Sequence, residues 1–175
     1  RARSSDTRRL TRLMVGPWAH HSIITAERIG DVDFGPEAAY DVVGEQISWF
    51  DRRLKADDNG IDDQPPVRIF VMGDNVWRDE WEWPLARTRY VRYYLHGRGR
   101  ANSLHGDGVL SVDPPSGEAT DGYAYDPGDP VPTTGGPIML PSHTGPRDRR
   151  PVERRDDVLV YTSEPLAQDV EVTGP

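Results

Sequence analysis

The chain has 175 residues, enough for one or two domains with a buried core, yet only 35% of them are hydrophobic while glycine and proline number 17 and 16. That balance predicts a loop-rich, largely β architecture rather than a helical bundle. The net charge of -8 argues against nucleic acid as a partner, because phosphate binding needs a basic footprint, and the absence of cysteine removes disulfides, thiolate zinc sites and a cysteine nucleophile together.

Taken in order, residues 1–9 are rich in arginine with Ser4, Ser5 and Asp6, and read as a solvated loop; a basic nucleic-acid arm is the alternative, disfavoured by the acidic remainder. This opening lacks the apolar core of a signal peptide, and no later run approaches the roughly 20 apolar residues that span a bilayer. The expectation is therefore no membrane partner; the compartment stays open, with the cytoplasm as the default. Residues 10–15 rise in hydrophobicity and stop at Gly16-Pro17, as a short buried strand of a parallel sheet does. Chemistry in α/β folds sits beyond the carboxyl edge of such strands, and here that position holds Trp18-Ala19-His20-His21.

Gly35-Pro36 predicts the start of a helix whose apolar face is Ala39, Val43, Ile47, Phe50 and Leu54, closed by Asp57, Asp58, Asn59 and Gly60. Gly44 inside it costs about 1 kcal/mol relative to alanine, which close packing against a sheet would explain. Arg52, Arg53 and Lys55 suit the carboxyl end of the helix dipole. Val67 and residues 69–72 form a second apolar strand closed by Gly73, so residues 10–73 read as strand, helix, strand at the end of a doubly wound sheet.

From Thr88 onward the pattern changes to short β-like runs at 90–95, 109–112, 123–125, 158–161 and 170–172, punctuated by turns such as Asp113-Pro114-Pro115 and Asp126-Pro127-Gly128. Repeated short strands of this kind predict a sandwich or jelly roll, with a boundary near Leu85. Between the two styles lie Trp77, Trp81 and Trp83. They form either a stacking platform for a sugar or an aromatic acyl group, or a seal between two layers, and their place at the boundary favours the seal. Tyr90, Tyr93 and Tyr94 read as alternating core and interface residues.

Among groups able to carry chemistry, His20 stands first. An imidazole held on a loop can move a proton between nucleophile and leaving group. On residue chemistry alone, His20 as a general base and His20 as a structural histidine stand level, and His21 competes with it. Metal binding by the pair is disfavoured, since consecutive side chains diverge and His96, His105 and His143 lie far along the chain without a carboxylate at zinc-hydrolase spacing. A calcium site from Asp121, Asp126 or Asp129 is an alternative, although proline and glycine explain those turns without an ion. Asp156 and Asp157 read as a solvated charge pair, and Ser142-His143 as a chance adjacency in a Pro/Gly loop. None of the nine serines lies in Gly-x-Ser-x-Gly, and upstream of His20 the one acidic residue is Asp6. An α/β-hydrolase orders its triad as Ser, Asp or Glu, then His, so as a base of that fold His20 has no nucleophile or acid to work with in this sequence.

Gly16-Pro17-Trp18-Ala19-His20, Trp49-Phe50-Asp51-Arg52, Pro66-Val67-Arg68-Ile69-Phe70-Val71-Met72-Gly73, Trp77-Arg78-Asp79-Glu80 and Trp83-Pro84 together resemble the cocaine esterase-like acyl esterases grouped with X-Pro dipeptidyl-peptidases. The stretches from Tyr125 to Gly136, from Arg154 to Ser163 and from Asp169 to Pro175 resemble the same family, so the likeness runs in order along nearly the whole chain. It implies an α/β-hydrolase part over residues 1–85 and the beginning of a jelly-roll, galactose-binding-like part over 86–175. It also implies that His20, at the last position of Gly-Pro-Trp-x-His, is the catalytic histidine in preference to His21. Ala19 stands where relatives commonly have serine. The family's nucleophilic serine, acid and oxyanion-hole residues have no counterpart here, which implies a piece of a serine hydrolase that lacks those partners and is inactive alone. The expected substrate is a small acyl ester, amide or peptide, with no cofactor and no metal; oligomeric state is left open. Two rival readings are a carbohydrate-binding module and an interaction piece that completes a hydrolase in trans.

Overall fold

The computed structural model describes residues 7, 10–20, 27–117, 119–140 and 142–174, so His21, Asp6 and Ser22 lie outside the described residues. The chain divides into two compact units, Arg1–Ala86 with Gly136–Arg147 and Gly174–Pro175, and Arg87–Gly135 with Asp148–Thr173. Among the described residues no helix is long and apolar enough to cross a membrane.

In the first unit, β1 (Leu13–Val15) pairs in parallel with β4 (Val67–Val71), Leu13 opposite Val67 and Val15 opposite Ile69. Parallel pairing requires a crossover, and the helical segment between the strands supplies it. The strand is shorter than expected because Leu10 is helical, and it is not buried: Leu13 and Val15, on one face of β1, are exposed, and β1 lies at one end of the three-stranded order β1-β4-β5. The central strand β4 has both faces covered, with Val67, Ile69 and Phe70 all buried, as its near-continuous apolar sequence requires. Its other neighbour is β5 (Val76–Glu80), an antiparallel partner that places Phe70 opposite Trp77 and Arg68 opposite Asp79. A small hairpin of β2 (Arg28–Ile29) and β3 (Val32–Asp33) completes the unit's strands.

The predicted single helix is three pieces. Pro36–Ala38 is one 3₁₀ turn, α1 spans Val42–Phe50, and Asp51–Lys55 widens into a π-helix that Ala56 ends at φ 60. Asp41 caps α1 by accepting from the Gly44 amide at 2.8 Å. The atoms nearest a Cβ built at Gly44 belong to the Asp41 carboxylate, so the cap and not the sheet is its immediate neighbour. The inward face also differs from the expected one. Val43, Ile47, Phe50 and Leu54 are exposed, Leu54 at 78%, whereas Trp49 and Glu45 turn in. Polar contacts decided this orientation: the Trp49 indole donates to the Leu10 carbonyl at 3.1 Å, and Glu45 meets Arg12 at 3.2 Å. Arg52 and Arg53 do not merely serve the helix dipole, since both clamp Asp62, Arg52 at 2.6 Å.

Residues 136–147 return to the first unit. A bridge between Gly136 and Gly145 folds the segment on itself, the Asp31 amide donates to the Pro146 carbonyl at 2.9 Å, and Arg147 reaches Asp31 at 2.8 Å.

The second unit has fewer regular strands than its sequence predicts. β6 (Tyr94–His96) pairs antiparallel with β7 (Val109–Ser111), and single bridges join Asn102 to Leu159 and Val109 to Thr162. Residues 123–125 and 170–172 form no strand, and Tyr90 and Tyr93 are exposed, so the alternation expected along 90–95 is confined to 94–96. A short helix, α2 (Arg150–Glu153), buries Val152.

Candidate functional site

The site is the turn that follows β1. Pro17 and Ala19 are buried, Trp18 is partly buried, and His20 is exposed at the end of the turn. Ala19 belongs to the unit's apolar cluster with Ile29, Phe34, Ala38 and Phe70, against which Trp18 and Trp77 pack. Gly16 has a steric role: a Cβ would overlap the fused ring of Trp18, which lies over it. Thus the residues before His20 are anchored inward in succession, and the imidazole is delivered outward beyond the carboxyl end of the parallel pair β1 and β4.

Beneath the turn lies a chain of rings. Trp18 and Trp77 have centroids 5.7 Å apart, Trp77 meets Phe70 at 5.3 Å and Tyr40 at 5.0 Å, and Phe70 meets Phe34 edge-on at 5.8 Å. These are the separations at which offset and edge-to-face ring pairs are attractive. Polar groups brace the far side. Tyr40 donates to Glu45 at 3.0 Å, the Arg68 guanidinium contacts the Tyr40 hydroxyl, and Arg68 grips Asp79 through two bonds of 2.5 and 2.6 Å. This bidentate fork holds the Asp79 carboxyl below the usual carboxylate range, while burial, followed by the hydrogen bond to Glu45, pushes the Tyr40 hydroxyl up. An open groove of about 610 Å³ runs between β1 and α1, lined by Leu13, Met14, Trp18, Trp49 and Phe50 among others.

The three tryptophans after β4 separate. Trp77 joins the core, Trp81 is 70% exposed, and Trp83 is half-buried before a cis bond to Pro84. The hairpin that carries Trp77 is not read in the sequence, because Val76-Trp77 is followed at once by Arg78-Asp79-Glu80; Gly73-Asp74-Asn75 is nevertheless a turn signal, and Asn75 adopts φ 55.

In the second unit the aspartates have protein partners. Asp121 accepts from the Ala101 amide at 3.0 Å and the Tyr161 hydroxyl at 2.8 Å, Asp126 accepts from the Gly128 amide at 2.7 Å, and Asp129 meets Arg155 at 3.2 Å. Among the described residues no group of three potential metal ligands comes together. Asp157 is not a solvated charge: Arg155 holds it with two bonds of 2.7 Å, which lowers its carboxyl below the ordinary range. In the first unit, Ser142 and His143 are in contact at 2.7 Å through Oγ and Nδ1, both exposed.

Comparison with known proteins adds what geometry alone does not. The chain is 44% identical over 167 residues to cocaine esterase of a Rhodococcus species, covering 93% of this chain and 29% of that protein. It is 28% identical over 169 residues to proteins of Mycobacterium bovis and Mycobacterium tuberculosis that are named as serine esterases, covering 93% of this chain and 24% of each. The chain therefore spans 24 to 29% of the length of these relatives. Residues 59–175 match the X-Pro dipeptidyl-peptidase C-terminal non-catalytic domain, a stretch that includes β4 and β5 of the first unit as well as the whole second unit. The chain belongs to the family that carries this X-Pro dipeptidyl-peptidase C-terminal domain.

Proposed function

We propose that the protein supplies the general base of a serine hydrolase that cleaves esters or amides, and that His20 is this base. The observation that carries the reading is the delivery of an exposed His20 by a Gly-Pro turn beyond the carboxyl end of a parallel strand, in a chain 44% identical to an esterase along 93% of its length. In this reading β1, α1 and β4 are the closing part of an α/β-hydrolase sheet, and the second unit is the start of a jelly roll of galactose-binding-like type. The nucleophilic serine and the acid come from polypeptide that precedes this stretch. The exposed edge of β1, the bare apolar face of Val43, Ile47 and Phe50, and the groove beside them support a partner of that kind, because such surface is unusual on a finished monomer.

His20 takes the proton from the serine hydroxyl as oxygen attacks the acyl carbon. It then gives that proton to the departing alcohol or amine, leaving an acyl-enzyme that water resolves by the same path in reverse. Backbone amides or a tyrosine hydroxyl hold the oxyanion. Substrates are small acyl esters, amides or Xaa-Pro peptides, and the chemistry calls for no cofactor.

The experiment uses p-nitrophenyl acyl esters and Xaa-Pro anilides. The 175 residues alone are expected to give no turnover above buffer. Co-expression with a segment bearing a Gly-x-Ser-x-Gly elbow and an acid is expected to give turnover that His20→Ala lowers by at least about 10³-fold. Turnover that survives His20→Ala would sink the assignment, and turnover by the chain alone would sink the need for a partner.

A further inference from the structure

We infer that Trp77 and Trp18 are positioning residues for His20: the stretch matching a non-catalytic domain fixes the place of the base through one ring-on-ring contact. This rests on the reading of His20 as the base. Trp77 sits on β5, within residues 59–175, whereas Trp18 is two residues before His20 and outside that match. The two rings touch at 5.7 Å. On its remote side Trp77 is held by Phe70, its partner across the β4–β5 ladder, and by Tyr40, itself pinned by Glu45 and Arg68. On its near side Trp18 lies over Gly16, whose missing Cβ leaves the room that the ring fills. Ala19, 6% exposed, closes the clamp from the same cluster. The contact is one of shape. Both indole nitrogens are buried without an acceptor among the described residues, so the rings act as packing surfaces and not as hydrogen-bond donors.

That last point separates positioning from general stability. ¹⁵N relaxation on the chain reads the turn directly. In the native protein the Ala19 and His20 amides should show order parameters near about 0.85, and Trp77→Ala should lower them below about 0.6. Trp77→Phe keeps a ring and loses no bond, so it should restore them; Trp81→Ala should leave them unchanged. Gly16→Ala removes nothing from the core but wedges Trp18 off its seat, and it decides the matter if Trp77→Ala does not fold. In the assembled hydrolase Gly16→Ala should lower kcat about 10- to 100-fold with KM unchanged, as a misplacement of about 1 Å does. A turn that stays rigid in folded Gly16→Ala overturns the inference, as does a loosened turn with unchanged kcat, or a Trp77→Phe variant as loose as Trp77→Ala. Full turnover in His20→Ala is a different failure: it removes the base and leaves the relaxation result intact.

Discussion

The two compact units are held by different bonds. In the first, Ile29, Phe34, Ala38 and Phe70 form one cluster sealed by Trp18 and Trp77, and the side chains that matter are rings and methyl groups. In the second, few apolar side chains are buried, chiefly Ala101 and Val152, and its loops are tied by polar side chains reaching backbone. Asn102 donates to the Gly122 and Asp156 carbonyls at 2.8 and 2.9 Å, Asp121 joins Ala101 to Tyr161, and Arg155 joins Asp129 to Asp157. The difference teaches where precision comes from. Ring packing fixes a rigid platform behind an exposed histidine; a network of single hydrogen bonds fixes loop paths while leaving the strands short.

Truncating the platform should produce the largest effect. Phe70→Ala is expected to cost about 3–5 kcal/mol, the range for deleting a buried aromatic side chain, and hydrogen exchange should show protection lost from β4 while the Ala101 amide keeps its own. Equal loss in both units would mean that they are not separately built. A smaller loss, about 1–3 kcal/mol, is expected for Asp121→Ala, which strands the amide of fully buried Ala101 without an acceptor. Here exchange should quicken at Ala101 and around Tyr161 and stay unchanged in β4; the reverse pattern breaks the comparison.

The smallest expected effect concerns pH. Arg68 depresses the carboxyl of Asp79, so the fork contributes fully above the ordinary aspartate value of about 3.9 and is lost as pH falls through the lower folded value. Asp79→Asn should therefore lower the urea midpoint at pH 7 and flatten its decline below about pH 4. Parallel curves for the two proteins would show that the fork adds no stability, as is common for well-solvated ion pairs.

Much of the first unit was legible in the sequence because its signals are local. Val67 and residues 69–72 are apolar, broken by Arg68 alone, and the run ends at Gly73; that pattern reads as a buried strand, and β4 occupies 67–71. Gly16-Pro17 likewise marked the end of β1, whose parallel pairing with β4 agrees with the strand-helix-strand reading. What failed were inferences that needed to know a partner. Periodicity identified an apolar stripe on α1 but pointed it the wrong way, since Glu45 and Trp49 are drawn in by Arg12 and Leu10, more than 30 residues earlier. Asp157 reads as solvated in the sequence because nothing local shows which cation meets it; in the fold Arg155 holds it and also reaches Asp129.

For the histidine the division is the same. That a strand, a Gly-Pro turn and His20 follow one another is written in the residues themselves, because backbone preferences act over a few residues. Folding in three dimensions is what lays Trp18 back over Gly16, brings Trp77 to it from a strand nearly 60 residues later, and returns Arg147 to brace Asp31. Contacts of that span depend on which surfaces meet, and no periodicity within one segment encodes the identity of its partner.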